Sequence, residues 1–177
     1  MIISPLPFAR SYWVQPGKFM AGFFPGDRDP AVAGAKLAAL LDCGVTHVVS
    51  LMEKNERDHA GRQFLDYRPA FLALAKARGI DGAWTRHSIP DLSVPSVTDM
   101  SQTLDTLDAA VRDGCVYVHC WGGRGRTGTV VGCWLARHGA DGLARLAALT
   151  AHDREWFPRV PETAKQREFV QQWRVGQ

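Results

Sequence analysis

The chain has 177 residues and a mass of 19.5 kDa, room for one compact domain and too little for two ordinary ones. Hydrophobic residues make up 46% and charged residues 22%, which excludes a wholly disordered chain, and no stretch nears the ~18 apolar residues of a membrane span. The 21 Lys and Arg against 18 Asp and Glu leave a net +3, and the basic residues are scattered, which argues against a nucleic-acid partner.

Tyr12 to Val14 and Phe19 to Gly22 read as a short antiparallel entry. Asp29 caps a helix with Pro30 in its first position, Leu37, Leu40 and Leu41 on its inner face, and Gly44 as its stop. Val45 to Leu51 is β-rich and reads as a buried strand, followed by the polar loop Glu53 to Asp58. A helix is expected from about Tyr67 to Ala77, ended by Gly79, then a strand over Ala83 to Ile89 and a loop over Pro90 to Pro95. Met100, Leu104, Leu107 and Val111 give the next helix its apolar face, and Gly114 breaks it. Cys115 to His119 is a short central strand. Helices over Thr127 to Arg137 and Asp141 to Thr150, a loop over Arg154 to Pro161 and a last helix over Glu162 to Trp173 complete the chain. Strands alternating with helices make this an α/β protein, a single domain over 1–177 with a mostly parallel sheet of four or five strands and about six flanking helices.

Sixteen of the 21 basic residues are arginine, the side chain best shaped for bidentate phosphate or carboxylate recognition. The first ten residues lack a basic segment and carry two prolines where an apolar one should run, so the reading is of no secretion signal, a cytoplasmic chain and four reduced cysteines.

The chemistry is concentrated in Val118-His119-Cys120-Trp121-Gly122-Gly123-Arg124-Gly125-Arg126-Thr127-Gly128. A strand ends, a glycine-rich loop turns and a helix begins. Amides at a helix start lack internal partners and carry the positive end of the dipole. Gly122, Gly123 and Gly125 let the loop curl so that successive N–H groups point inward, a nest for an oxyanion of phosphate size. The same field favours an ionised sulfur at Cys120, beside Arg126, and so a nucleophile. Arg126 offers a planar fork to two phosphate oxygens, and Thr127 can donate its hydroxyl to the sulfur when it leaves.

His119-Cys120, Gly123, Gly125, Arg126, Thr127 and Gly128 together resemble the signature of the cysteine-dependent protein tyrosine phosphatases. The resemblance to their small dual-specificity branch runs over roughly residues 10 to 174. It includes Tyr12-Trp13-Val14, Gly22, Pro25-Gly26, Val48 to Glu56, and Val160-Pro161-Glu162-Thr163 with Gln166, Phe169 and Val170. It implies metal-independent, cofactor-free hydrolysis of phosphomonoesters through a cysteinyl-phosphate, in a monomer. Trp121, Gly122, Gly123, Arg124, Gly125 and Arg126 would form the phosphate loop. The general acid in this branch is an aspartate in a proline-containing loop about thirty residues before the cysteine, and Asp91 lies 29 before Cys120. Asp99 is the competing carboxylate, placed where a helix cap belongs. No tyrosine-recognition loop precedes the site, which implies a shallow pocket open to phosphoserine, phosphothreonine and phosphotyrosine proteins.

Several readings stand beside this one. Gln166, on the apolar face of the last helix, either orients water and supports the phosphate loop or is a structural amide bonded to backbone. Arg124 either attracts a highly anionic substrate, as in the phosphoinositide-phosphatase branch, or pairs with an acidic side chain. His119 reads as a hydrogen-bond partner that holds the loop. Glu53 and Glu56 either help line the pocket rim or form a solvated charge run, and the charge run is the reading taken. Cys43, Cys115 and Cys133 read as packing residues, with a protective Cys115–Cys120 disulfide as the alternative. The remaining histidines have no metal-ligand spacing. A phosphate-binding module without turnover keeps the loop but needs none of Cys120, Arg126 and Asp91. A dinucleotide fingerprint, Gly123-x-Gly125-x-x-Gly128, is followed by too little chain for its fold, and rhodanese-type sulfur transfer does not call for Arg126-Thr127 or Asp91.

Overall fold

Residues 5–177 are described by a computed structural model; Met1 to Ser4, part of the segment read for a secretion signal, lie outside the described residues. The chain enters as a hairpin, Ser11–Gln15 (β1) and Phe19–Gly22 (β2), whose strands pair antiparallel. Helix Pro30–Asp42 (α1) follows, its first turn held by the Asp29 carboxylate, which accepts from Ala31 N at 2.8 Å. Strand Val45–Ser50 (β3), helix Arg68–Ala77 (α2) and strand Ala83–Arg86 (β4) come next. Helix Val97–Asp113 (α3) is capped by Ser96 and buries Met100, Leu104 and Leu107 at helical spacing. Strand Cys115–His119 (β5), helix Gly125–Arg137 (α4), helix Gly142–Thr150 (α5) and helix Ala164–Gln172 (α6) finish the chain.

The sheet order is β1-β2-β5-β3-β4, with every pairing but the first parallel. The α/β expectation holds, with five strands and six α-helices among the described residues. Central β5 is buried along its whole length, flanked by β2 and β3. Helices α1 and α2 pack on each other, α1 against β3 and α2 against β4, whereas α4 packs against α3, α5 and α6. Strand β5 therefore delivers its carboxyl end, and the residue after it, into the middle of the domain.

Several element boundaries differ from the sequence reading by a residue or more, and three of them bear on the site. Strand β4 stops at Arg86, although His87 N and Ile89 N still donate to Ser50 O and Leu51 O and so carry the chain in extended form up to the Pro90 loop. Helix α4 starts at Gly125, two residues early, because the loop already turns helical there. Helix α6 starts at Ala164 because Thr163 and Gln166 form a capping box.

Candidate active site

Cys120 follows the last residue of β5 and sits, buried, before the first turn of α4. The loop closes tightly enough that Gly123 N donates to Cys120 Sγ at 3.3 Å. Gly123 takes φ +73°, and a Cβ there would lie 2.5 Å from the Gly22 carbonyl carbon, so both backbone conformation and space require glycine. In this structure Thr127 makes no hydrogen bond to the sulfur. The Thr127 hydroxyl is buried without a hydrogen-bond partner among the described residues, and the sulfur takes its donor from the backbone.

Arg126, on the first turn of α4, is 1% exposed and faces three groups. Its Nη1 and Nη2 donate to the two oxygens of Glu56 at 2.6 and 2.8 Å, and Nη1 also donates to Ile89 O at 3.1 Å. Nη2 lies 3.0 Å from Asp91 Oδ1. Burial works against the guanidinium charge, but Glu56, the Cys120 sulfur and Asp91 outweigh it and hold Arg126 above its ordinary value. Glu56 is therefore no solvated charge. The polar loop after β3 folds back over the site, and the Glu56 side chain is only 9% exposed. Seventy residues separate it from Arg126, and no local pattern announces the pair.

Asp91 stands on the loop after β4, half exposed, and lines the same cavity as Cys120 and Arg126. The next residue, Leu92, takes φ +58°. Asp99, the competitor, accepts from the Ser96 hydroxyl at 2.6 Å in the first turn of α3, as a capping partner does. Gln166 reaches the 90–95 loop: Nε2 donates to Ser93 O at 3.1 Å, while Oε1 accepts from Thr163 N at 3.0 Å. Both polar ends are spent on backbone, so the amide ties α6 to the loop that carries Asp91.

His119 lies behind Cys120, fully buried. Its Nδ1 donates to Cys120 O at 2.9 Å, its Nε2 accepts from the Tyr67 hydroxyl, and that hydroxyl accepts from Trp84 Nε1 at 3.0 Å. Burial pulls His119 down to about 3, so it is a neutral hydrogen-bond relay at physiological pH. Tyr12, on β1, is also close. Burial and the neighbouring Cys120 raise its phenol, whose oxygen has no hydrogen-bond partner among the described residues.

The cavity over Cys120 has a volume of 450 Å³. Trp121 forms one wall, its indole turned away from the loop to pack on His59 and Phe64 with ring centroids 4.5 and 5.2 Å apart. Trp156 forms the other, its Nε1 donating to Gly122 O at 2.9 Å. Arg124 pairs with Glu162 at 3.0 Å and lies over the Trp156 ring. The acidic-partner reading of Arg124 therefore holds. A Cys115–Cys120 disulfide is excluded by distance. The two residues sit at the start of β5 and just beyond its end, roughly 16 Å apart at the rise of a strand, against the ~7 Å a disulfide tolerates. The four cysteines are free thiols, and burial pushes Cys115 up to about 11.

The sequence reading weighed Glu56 only as a rim residue and missed Tyr67, Trp84, Trp156 and Arg10 as parts of the site. Each is distant in sequence from the residue it meets: Tyr67 from His119, Trp84 from Tyr67, Trp156 from Gly122 and Arg10 from Trp156.

Comparison with known proteins finds that residues 8–170 match the family model described as Swiss Army Knife protein, DSP-PTPase phosphatase domain (PTP-SAK). The chain is 30% identical over 108 residues to dual specificity protein phosphatase CDC14B of Mus musculus, covering 54% of this chain and 22% of that protein. It is 35% identical over 83 residues to phosphatidylglycerophosphate phosphatase PTPMT2 of Arabidopsis thaliana, covering 46% and 35%. The chain thus spans well under half the length of these two relatives. The crystal structure of Tk-PTP in its active form superposes with a TM-score of 0.66 at 24% identity, over 94% of this chain and 97% of that one, and shares the fold.

Proposed function

We propose, on the premise that the chain belongs to the DSP-PTPase phosphatase-domain family of the cysteine-dependent phosphatases, that it hydrolyses phosphomonoesters through a cysteinyl-phosphate. The observation that carries the reading is the meeting of Cys120, Arg126 and Asp91 in one 450 Å³ cavity at the carboxyl end of β5, with Gly123 N on the sulfur.

Cys120 Sγ attacks phosphorus while the bond from phosphorus to the alcohol oxygen breaks, and Asp91 gives that oxygen its proton. Water then attacks the phosphocysteine, Asp91 takes its proton, and the sulfur departs with inorganic phosphate released. Loop amides and Arg126 hold the oxygens on which charge builds up, at the positive end of α4. Arg126 is pre-oriented by Glu56, and its Nε has no hydrogen-bond partner among the described residues. Thr127, with its free hydroxyl, supports the sulfur as it leaves.

For substrate class, the open mouth suits phosphoserine, phosphothreonine and phosphotyrosine on proteins. The second reading is a phosphate carried by a non-protein alcohol, and one observation favours it: Arg10, a third arginine in the cavity, has no carboxylate partner among the described residues. Rapid acid quench of a turnover with a ³²P-labelled aryl phosphate, with EDTA present, tests the chemistry. Label is retained on the wild-type protein and absent from Cys120→Ser, which still binds phosphate. Turnover without Cys120, or none by the wild type, removes the reading.

A further inference from the structure

The arginine that the catalytic reading leaves unused is Arg10. It precedes β1 and reaches the cavity that holds Cys120, Asp91 and Arg126. The other two arginines there are neutralised, Arg126 by Glu56 and Asp91, Arg124 by Glu162. Arg10 has no ion pair and no side-chain hydrogen bond among the described residues. Its guanidinium carbon lies 3.3 Å from the Trp156 ring centroid and 5.2 Å from that of Phe23. Stacking on a ring face uses the flat side of a guanidinium and leaves the N–H edge free to donate.

The group is also held in place. Trp156 is anchored to the phosphate loop through Gly122 O, so its face is a fixed platform. The Arg10 backbone takes φ 65°, a left-handed conformation uncommon outside glycine, and its carbonyl oxygen accepts from Phe23 N at 3.0 Å. A rigid, unneutralised cation facing a pocket is a ready receptor for an anion.

We infer that Arg10, laid on Trp156, is a second-anion subsite that selects a small phosphomonoester bearing a further phosphate on the same scaffold. This rests on the phosphatase reading and decides between its two substrate classes. A cavity of 450 Å³ is on the order of 10 Å across, near the small end for ligand sites. Both anions must then enter together, a few bonds apart. The neighbours of a phosphorylated side chain branch from a backbone that stays above the mouth and would meet Arg10 poorly. The second phosphate takes the guanidinium edge in a bidentate contact while the scissile one occupies the loop.

The test compares kcat/KM for butane- and hexanediol bisphosphates with the matching monophosphates, in wild type, Arg10→Met and Arg10→Lys. The expected result is a bisphosphate preference in the wild type that falls ten- to a hundredfold in Arg10→Met, mainly through KM. Arg10→Lys should recover part of it, because charge returns without the planar fork. An absent preference, or an equal loss for both ester types, overturns the inference. An Arg10-dependent preference confined to phosphopeptides with acidic neighbours does so as well. Failure of the wild type on p-nitrophenyl phosphate overturns the phosphatase reading instead. Phosphatidylinositol monophosphate in phosphatidylcholine vesicles, run against its deacylated water-soluble headgroup, separates the lipid source from the free one. Arg10 dependence in either arm supports the subsite. Thermal unfolding of Arg10→Met within about 4 °C of wild type rules out a merely unfolded variant.

Discussion

Arg126 and Glu56 form a two-pronged ion pair, both terminal nitrogens of the guanidinium donating to both oxygens of the carboxylate, with the arginine 1% and the glutamate 9% exposed. A pair this buried cannot lose one member cheaply, because the other is left charged in a poorly solvated place. Glu56→Gln keeps the shape and removes the charge. We expect a loss of about 3 kcal/mol in urea unfolding, softened by the contact that Asp91 retains, and a fall in kcat larger than the rise in KM. Unchanged stability and kinetics together would show that Asp91 and Ile89 O suffice to hold Arg126.

Asp91 is the carboxylate we propose for the leaving group, since it lines the cavity, whereas Asp99 is spent in the cap of α3 and Glu162 is paired with Arg124. Asp91→Asn should slow alkyl phosphates by two orders of magnitude or more, in line with the ~10²–10⁴-fold that general acids contribute. Aryl phosphates with activated leaving groups need little protonation and should slow far less. A plot of log kcat against leaving-group pKa checks this. A slope no steeper in the variant than in wild type removes Asp91 as the acid.

His119 makes stability depend on acidity. Burial holds it near 3 in the folded protein, against ~6.5 for an exposed histidine. Below about 6.5 the unfolded chain takes a proton that the folded chain refuses, so stability is full above that pH and drains as pH falls toward 3. The slope from this one group approaches about 1.4 kcal/mol per pH unit. His47 and His87, also lowered by burial, act in the same direction. Urea midpoints from pH 7 to 4 measure the effect, and His119→Asn should flatten the curve by close to one proton's worth.

Gly123→Ala should cost more than about 2 kcal/mol and abolish turnover, because its φ of +73° and its contact with Gly22 both reject a methyl group. Gly44→Ala is the matched control. It has φ +86° but open space around the missing Cβ, so it should cost about 1 kcal/mol and leave kinetics alone. Equal effects of the two would mean that packing against Gly22 is unimportant.

The order of strands and helices was legible in the sequence because apolar spacing and caps are local. Asp29 before Pro30 marks α1, and Met100, Leu104 and Leu107 mark α3. The refinements were local as well, since the Thr163–Gln166 capping box moved the start of α6 by two residues. The glutamine itself was readable only as buried. Which backbone its amide would bond, Ser93 in the 90–95 loop, depends on how two distant segments meet.

The sequence by itself determined the glycine-rich loop after β5. Cys120 through Thr127 are consecutive, and a glycine-rich turn at a helix start makes its nest from its own amides, whatever surrounds it. Only the tertiary structure decided what charges that loop feels. Glu56 arrives from 70 residues away, and Arg10 and Trp156 approach from opposite ends of the chain. Long-range pairing depends on which surfaces remain after the sheet and helices have packed, and no local periodicity encodes it.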